Sequence, residues 1–420
     1  MELAPPRGTL DLLPPAGSRM RALYDRAADL ARRYGYRYVE TPTFEATELF
    51  SLTSGQTSDV VSKEMYTFED RGKRSLTLRP EGTAPVMRAY LHRMHELPSP
   101  FKAYYVTRMY RYGRPQAGRH REHRQFGVEV FGAEGAAADV ETIALGDEYL
   151  RGLGLSRYEL QVNSMGDERC RPAYRDELLA FLRANRERIG DEHRDRFEAN
   201  PLRVLDCKAD ACRAVALEAP RMTDRLCDSC REHLGGVLAG LETEGLKPVL
   251  TPTLVRGLDY YTRTAFEFVS QVLSQTQAAL FGGGRYDGLA EALGGPHVPG
   301  VGFGMGLERV LLAIEDEGLA APEEAGLAAF VVGLGDEGRA RARDLVRHLR
   351  VAGVAADAAF EERPLKAQLR MADRAGARFA AILGEDEAAS GTVTLRRLTD
   401  GAQETVALSD VLEYLTREAP

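Results

Sequence analysis

The sequence predicts an α+β fold: a sheet core of antiparallel hairpins with flanking helices and a helical insertion, followed by a separate small α/β domain. Three observations carry this. FKAYYVTRMYR and QFGVEVFG read as strands on either side of a basic loop broken by Gly and Pro, so they form one long hairpin. From about residue 167 to 245 the texture turns to charged helical runs such as YRDELLAFLRANRERI, together with four clustered cysteines. Beyond a linker at APEEAG, residues 321–326, strands alternate with helices. The expected domains are 1–322, with the insertion inside it, and 327–420.

The elements follow in order. Met20, Leu23, Tyr24, Ala27, Leu30 and Ala31 recur at helical spacing, and Gly35 is a stop signal. YRYVETPTFEATELF is strand-like and interrupted at Pro42. SLTLRPEGTAPVMRAYLHRM reads as strand, turn, helix. After the insertion, LVRGLDYYTRTAFEFV restores strand character, the glycine-rich FGGGRYDGL follows, and PGVGFGMGLERVLLAI runs from strand into helix. In the last part AAFVVGLG, AGVAADAAF and GARFAAILG are separated by helices.

Composition sets bounds. A chain of 420 residues, 44% apolar, accommodates about two or three domains and a sizeable core. Lys plus Arg is 55 against 63 for Asp plus Glu, a net charge of -8, which argues against a uniformly basic nucleic-acid coat. A local basic patch remains open, since binding depends on where charge sits. MELAPPRGTLDLLPP has no apolar core and is expected to be no signal peptide, and no apolar run is long enough to span a bilayer. The expectation is a cytoplasmic protein with no membrane partner. Of five cysteines Cys170 stands alone, while Cys207, Cys212, Cys227 and Cys230 form CxxxxC followed by CxxC. Those four admit a structural zinc site or small half-buried residues in a helical segment, and the loose first spacing leaves both open.

Strand alternation places Gln125, Gly127, Glu129 and Phe131 on one face, with Val128 and Val130 on the other. An amide and a carboxylate flanking a glycine leave open space, either the floor for a small polar ligand or a solvated edge. In GLDYYTRTAFEF the residues Asp259, Tyr261, Arg263 and Glu267 share a face, and Tyr260, Thr262, Thr264 and Phe266 the other. Arg256 precedes them beside Gly257. A binding site and a surface ion-pair ladder both fit. In RPEGTAPVM, Thr83 fits a helix N-cap and Glu81 a solvated turn, or a place to hold an ammonium. Gly300, Gly302, Gly304 and Gly306 bare one strand face, for a flat ligand or for tight packing, before Glu308 and Arg309. Gly333, Gly335 and Gly338 match GxGxxG between strand and helix, but a lone match is weak and the helix after it is highly charged.

Together these segments resemble the histidyl-tRNA synthetase family of class II aminoacyl-tRNA synthetases over nearly the whole chain. PRGTLDLLP resembles its N-terminus, and YGYRYVETPTFEATELF the first class motif, which builds the dimer interface. MYRYGRPQAGRHREHRQFGVEVFG resembles the second motif and GVGFGMGLER the third. LVRGLDYYTRTAFEF and GGGRYDGL resemble the two histidine-specific signatures, which sister synthetases lack. PLKAQLRMADRAGARFAAILGEDE resembles the anticodon-binding domain.

The resemblance implies the class II antiparallel sheet core and histidine–tRNA ligase activity, with L-histidine, ATP, Mg²⁺ and tRNA(His) as ligands and a homodimer as assembly. It implies that Glu81, Gly82 and Thr83 hold the α-ammonium and Gln125 positions the amino acid. Glu129 and Tyr261 would bond the imidazole, beside Tyr260 and Tyr286. Arg111 and Arg256, as the catalytic pair, would meet the substrate carboxylate and the α-phosphate. Arg119, Glu308 and Arg309 would serve ATP, and Arg114, Gln116 and Arg121 the tRNA acceptor end. Two positions depart from the pattern: Gly113 stands where a glutamate reads adenine, and Glu122-His123-Arg124 replaces an aromatic-containing run. The rival readings are a histidine-biosynthesis regulatory subunit, a sister class II synthetase, and a nucleotide-binding module around VVGLGDEG.

Overall fold

The computed structural model describes residues 3–53, 64–195, 197–207, 209–256, 260–274, 278–324 and 326–418. Gly257 and Asp259 lie outside the described residues. The chain forms two compact units, Met1–Glu323 and Glu324–Pro420.

The first unit is organised by an eight-stranded sheet. Its spatial order is Arg37–Tyr38, Phe101–Tyr110, Glu122–Phe131, Gly300–Gly306, Ala279–Arg285, Thr262–Ser270, Tyr158–Ser164, Val249–Leu250. The two-residue strands at either edge pair in parallel, and every other pairing is antiparallel. The expected hairpin pairs Phe101 with Phe131 through to Tyr110 with Glu122. One face of the sheet is apolar core: Phe126, Val128 and Phe303 are fully or almost fully buried, and Phe126 meets Phe303 edge-on at 5.5 Å. Burial of each such ring contributes on the order of 2 kcal/mol. Helix Ala136–Gly152 packs flush on this face, because a side chain at Gly146 would run into Phe281.

Helix Ala16–Arg33 buries Met20, Leu23, Ala27, Leu30 and Ala31, the stripe expected from its spacing, and the chain turns at Gly35 with φ +79°. The segment after it departs from a simple strand. Arg37–Tyr38 and Phe44–Ala46 are short strands, and TELFSLT forms a helix, Thr47–Thr53. Phe44–Ala46 belongs to a three-stranded antiparallel sheet with Ser75–Leu78 and Tyr66–Glu69. FGGGRYDGL is also more than a glycine-rich connection, since Ala279–Arg285 is a central strand. Glycine has low strand propensity, so pattern reading passes it over.

Helices Arg171–Ala184, Asp210–Glu218 and Asp228–Thr243 dominate the insertion, with Leu178, Leu182, Val215, Val237 and Leu241 buried. A fully buried ion pair holds it to the sheet. Arg285 donates to the carboxylate of Asp139 and to the carbonyls of Ala133 and Gly135, and His233 of the insertion reaches the same carboxylate at 3.3 Å.

The second unit has a five-stranded sheet. Ala356–Ala358, Ala329–Gly333 and Phe379–Leu383 run parallel, and Thr392–Arg397 and Gln403–Ala407 extend it antiparallel. The GxGxxG glycines are consumed by packing. A Cβ at Gly338 would lie 2.5 Å from the Leu383 carbonyl, and one at Gly335 2.9 Å from the Glu385 carboxylate. A carboxylate at that turn repels the pyrophosphate that a dinucleotide would bring.

Candidate active site

A cavity of about 290 Å³ opens on the polar face of the sheet. It gathers residues far apart in sequence: Glu81, Gly82, Thr83, Arg111, Arg119, Gln125, Arg256, Tyr260, Tyr261, Glu308 and Arg309. The bare stripe of the glycine strands is its floor. Gly302, Gly304 and Gly306 stand opposite Glu129, Gly127 and Gln125, and side chains at Gly302 and Gly304 would overlap Glu129 and Gln125.

Three expectations about this floor are corrected. The space over Gly127 is not open: the Tyr105 ring lies where a Cβ of Gly127 or Gly82 would project. Tyr105 comes from the neighbouring strand, and its register partner is Gly127. Thr83 does not cap its helix. Gly82 holds the N-cap position, and the Glu81 carboxylate accepts the amides of Thr83 (2.6 Å) and Ala84 (3.0 Å). Nor does simple alternation hold in GLDYYTRTAFEF. Arg263 has φ +47°, the register slips beside Arg285, and both Tyr260 and Tyr261 line the cavity. Arg263 leaves that face and lies 3.9 Å from Asp167.

Glu129 is fully buried behind the lining. Its Oε1 accepts from Thr83 Oγ1 at 2.8 Å and Tyr105 at 3.2 Å, and Oε2 accepts from the Tyr286 hydroxyl. Burial pushes its carboxyl up to about 8, against the pull of these donors. Glu81 is also raised by burial, opposed by the two amides and by Arg111. Tyr286, almost fully buried, therefore sits behind the cavity wall, edge-on to Tyr260 at 5.7 Å.

The cations form the other half. Arg111 is fixed by a 2.7 Å bond from Nε to the Pro80 carbonyl, and Arg256 by a 3.1 Å bond to Glu267. Burial and then the charges of Arg119 and Arg111 push Arg309 down, the mark of cations crowded together. His123 lines the same space, and burial followed by Arg111 and Arg309 pushes it down to about 3, so its ring stays neutral. Glu308 is committed elsewhere: its carboxylate accepts the Arg124 amide at 2.9 Å and the Arg124 guanidinium at 3.2 Å. It joins the third-motif helix to the second-motif strand.

The loop is an ordered turn closed by a bridge between Gln116 and Arg119. Arg114 and Gln116 are exposed and outside the cavity lining, and Arg121 stacks on Tyr112 at 3.9 Å. Beside Gly113 a carboxylate does arrive, from another segment. Glu64 Oε1 lies 3.2 Å from where a Gly113 Cβ would stand and pairs with Arg119 at 2.6 Å. No spacing rule in the sequence joins Glu64 to Gly113.

Among the described residues, two buried side-chain atoms of this cavity have no hydrogen-bond partner: Gln125 Oε1 and Arg256 Nε. The cysteine expectation is revised as well. Cys227 and Cys230 do cluster, but with Cys170 and Asp167 and not with Cys207 or Cys212. Cys212 is buried in the apolar core, and a Cβ at Gly190 would lie 3.2 Å from its sulfur. No described helix is long and apolar enough to cross a membrane.

An antiparallel sheet floored by glycine and walled by crowded guanidiniums is the arrangement of a class II aminoacyl-tRNA synthetase, and solved structures of that class share the fold. The histidyl-tRNA synthetase profile matches residues 8–310, and an anticodon-binding domain profile matches 328–418. A histidine--tRNA ligase of Moorella thermoacetica is 50% identical over 410 residues, covering 97% of each chain. One of Desulforudis audaxviator is 48% identical over 420 residues, with both chains fully covered. The apo histidyl-tRNA synthetase of S. aureus superposes with a TM-score of 0.81 at 37% identity, over 99% of this chain and 100% of that one. The chain belongs to the histidyl-tRNA synthetase family, and its activity is that of a histidine–tRNA ligase.

Proposed function

We propose that this cavity is where L-histidine and ATP react, and that the loop beside it receives the acceptor end of tRNA(His). The two orphaned atoms carry the reading. Among the described residues Gln125 Oε1 has no donor and Arg256 Nε no acceptor, in one cavity. The α-ammonium and α-carboxylate of an amino acid supply both.

Glu81 shares the ammonium with Gln125, and Gly82 with Thr83 shapes that end. Glu129 already accepts three hydroxyls of the roughly four donors a carboxylate can take. The fourth place suits an imidazole N–H, with Tyr261 for the other nitrogen and Tyr260 alongside. Tyr286 orients Glu129 from behind. Arg111 and Arg256 bring the substrate carboxylate against the α-phosphate. Arg309 and Arg119 take the outer phosphates, while Glu308 acts by holding Arg124. Glu64 stands where adenine's edge is read, and the neutral His123 ring offers a flat face.

In the first step a carboxylate oxygen bonds to the α-phosphorus and the bond to pyrophosphate breaks. Two anions must approach, so fixed cations supply the main acceleration and no general base is required. Glu267, a cavity carboxylate beside Arg256, would offer Mg²⁺ a hard oxygen donor, and the bound ion would neutralise charge on pyrophosphate. In the second step the terminal ribose hydroxyl attacks the activated carbonyl, giving histidyl-tRNA and AMP. Arg114, Gln116 and Arg121 are the proposed acceptor contacts. A regulatory subunit that binds histidine without charging tRNA finds less support, because the anticodon-binding region is present.

ATP–pyrophosphate exchange with each standard amino acid should respond to histidine alone. Exchange driven by another amino acid would refute the reading. The same assay carries a pH signature. An imidazole N–H bonds ionised Glu129 far more strongly than its neutral acid, and burial raises that carboxyl to about 8. The KM for histidine should therefore rise as pH falls from 9 to 7, by up to about tenfold per unit below 8. Free histidine titrates lower, near about 6.5. Glu129→Gln should flatten this slope, and an unchanged slope would reassign it.

A homodimer is proposed through the first-motif segment. Phe44 and Phe68 are about half exposed, and they meet edge-on at 6.3 Å on the three-stranded sheet. Sedimentation should give twice the 46.3 kDa chain mass, falling to one chain mass in Phe44→Asp. A wild-type monomer would end this proposal.

A further inference from the structure

We propose that Asp167, Cys170, Cys227 and Cys230 bind one structural zinc ion that clamps the insertion to the segment carrying Tyr261, just before the strand Thr262–Ser270. The four ligand atoms lie within 4.8 Å of one another. The Cys170 and Cys230 sulfurs are 3.9 Å apart, Cys170 to Asp167 Oδ1 is 3.5 Å, and Cys227 to the same oxygen is 3.6 Å. Zinc bonds of about 2.3 Å to sulfur and about 2.0 Å to oxygen fix the edges of a tetrahedron. Those edges are about 3.8 Å between sulfurs and about 3.5 Å between sulfur and oxygen. These separations are those of a coordination shell, and the Cys170 and Cys230 sulfurs, 3.9 Å apart, are too distant for a disulfide.

The chain is built for it twice over. Asp167-x-x-Cys170 and Cys227-x-x-Cys230 have one spacing, and each runs into the N-terminus of a helix, Arg171–Ala184 or Asp228–Thr243. Gly166 makes the first turn at φ +65°, where a Cβ would lie 2.8 Å from the Cys170 sulfur. The Asp167 amide donates to that sulfur at 3.3 Å. Three thiolates and a carboxylate leave a zinc centre with two excess negative charges, and two guanidiniums stand beside it. Arg169 bonds Asp167 Oδ2 at 2.7 Å, Arg263 lies 3.9 Å from the same oxygen, and both donate to Ser229.

The clamp reaches the cavity. The Arg263 amide donates to the Gly166 carbonyl at 2.8 Å, and Arg171 donates to the Tyr261 carbonyl at 2.9 Å. The Arg263 backbone at φ +47° is thus held between the zinc turn and the tyrosine pair.

The test is metal content of the full-length chain, purified reduced and without chelator, read by mass spectrometry. Wild type should carry about one zinc per chain, and Cys227→Ser and Cys170→Ser about a tenth of that or less. The double variant Cys207→Ser, Cys212→Ser should keep it, and Asp167→Cys should keep it too. Should the serine variants fail to fold, Co²⁺ titration of metal-stripped wild type decides. Intense tetrahedral d–d bands with thiolate charge transfer support the site. Zinc-free wild type without that spectrum, or zinc lost only from the Cys207/Cys212 variant, overturns it.

Discussion

Glu129→Ala should lower kcat/KM for histidine activation by about 10³-fold or more, with the fold retained. The size follows from what the site is built to bond. A pocket matched to a polar partner discriminates far more strongly than one matched to a methylene, because unmet buried donors have no water to turn to. Removing the carboxylate strands the hydroxyls of Thr83, Tyr105 and Tyr286 along with the imidazole N–H. The fold survives because the empty protein carries Glu129 at a cost. A carboxyl raised to about 8 disfavours the native state as pH climbs from the unfolded value toward 8, so neutral replacement relieves that penalty. Glu129→Gln should accordingly melt no lower than wild type at pH 8 while still binding histidine poorly. Near-normal exchange in Glu129→Ala would remove the imidazole assignment.

Arg256→Ala should cost about 10²- to 10³-fold in the single-turnover rate of adenylate formation, with a smaller change in KM. Its guanidinium is tied to Glu267 at 3.1 Å while Nε meets no partner among the described residues, so the group is oriented before any ligand arrives. On the proposed assignment, charge developing on the α-phosphate would meet a donor that need not reorganise. Arg256→Lys should recover little, since an ammonium keeps the charge but not the planar fork. A variant that loses KM alone, with its single-turnover rate intact, would recast Arg256 as a binding residue only.

Much of this was legible in the sequence because local periodicity and local function coincide. The hairpin from Phe101 to Phe131 and the strand–helix unit at Gly300–Asp316 were readable, since alternation and glycine spacing are short-range signals. Tyr105 was missed because its role depends on facing Gly127 across a register that only pairing defines. Glu64 was missed for the same reason, being 49 residues from Gly113 in the chain. The four-cysteine pattern left a metal site open, but Cys227 and Cys230 cluster with Asp167 and Cys170 instead, and a pair that begins with an aspartate is one that cysteine counting does not see. The strand at Ala279–Arg285 hid behind its glycines, although those glycines are what let the floor exist.

That floor also limits how the enzyme could be re-targeted. At Gly302 and Gly282 even one added carbon would run into the backbone carbonyls of Val128 and Phe266, so the bottom of the cavity has little room for adjustment there. A search for variants that accept a different amino acid should leave the three central strands untouched and randomise the upright aromatic walls, beginning at Tyr260.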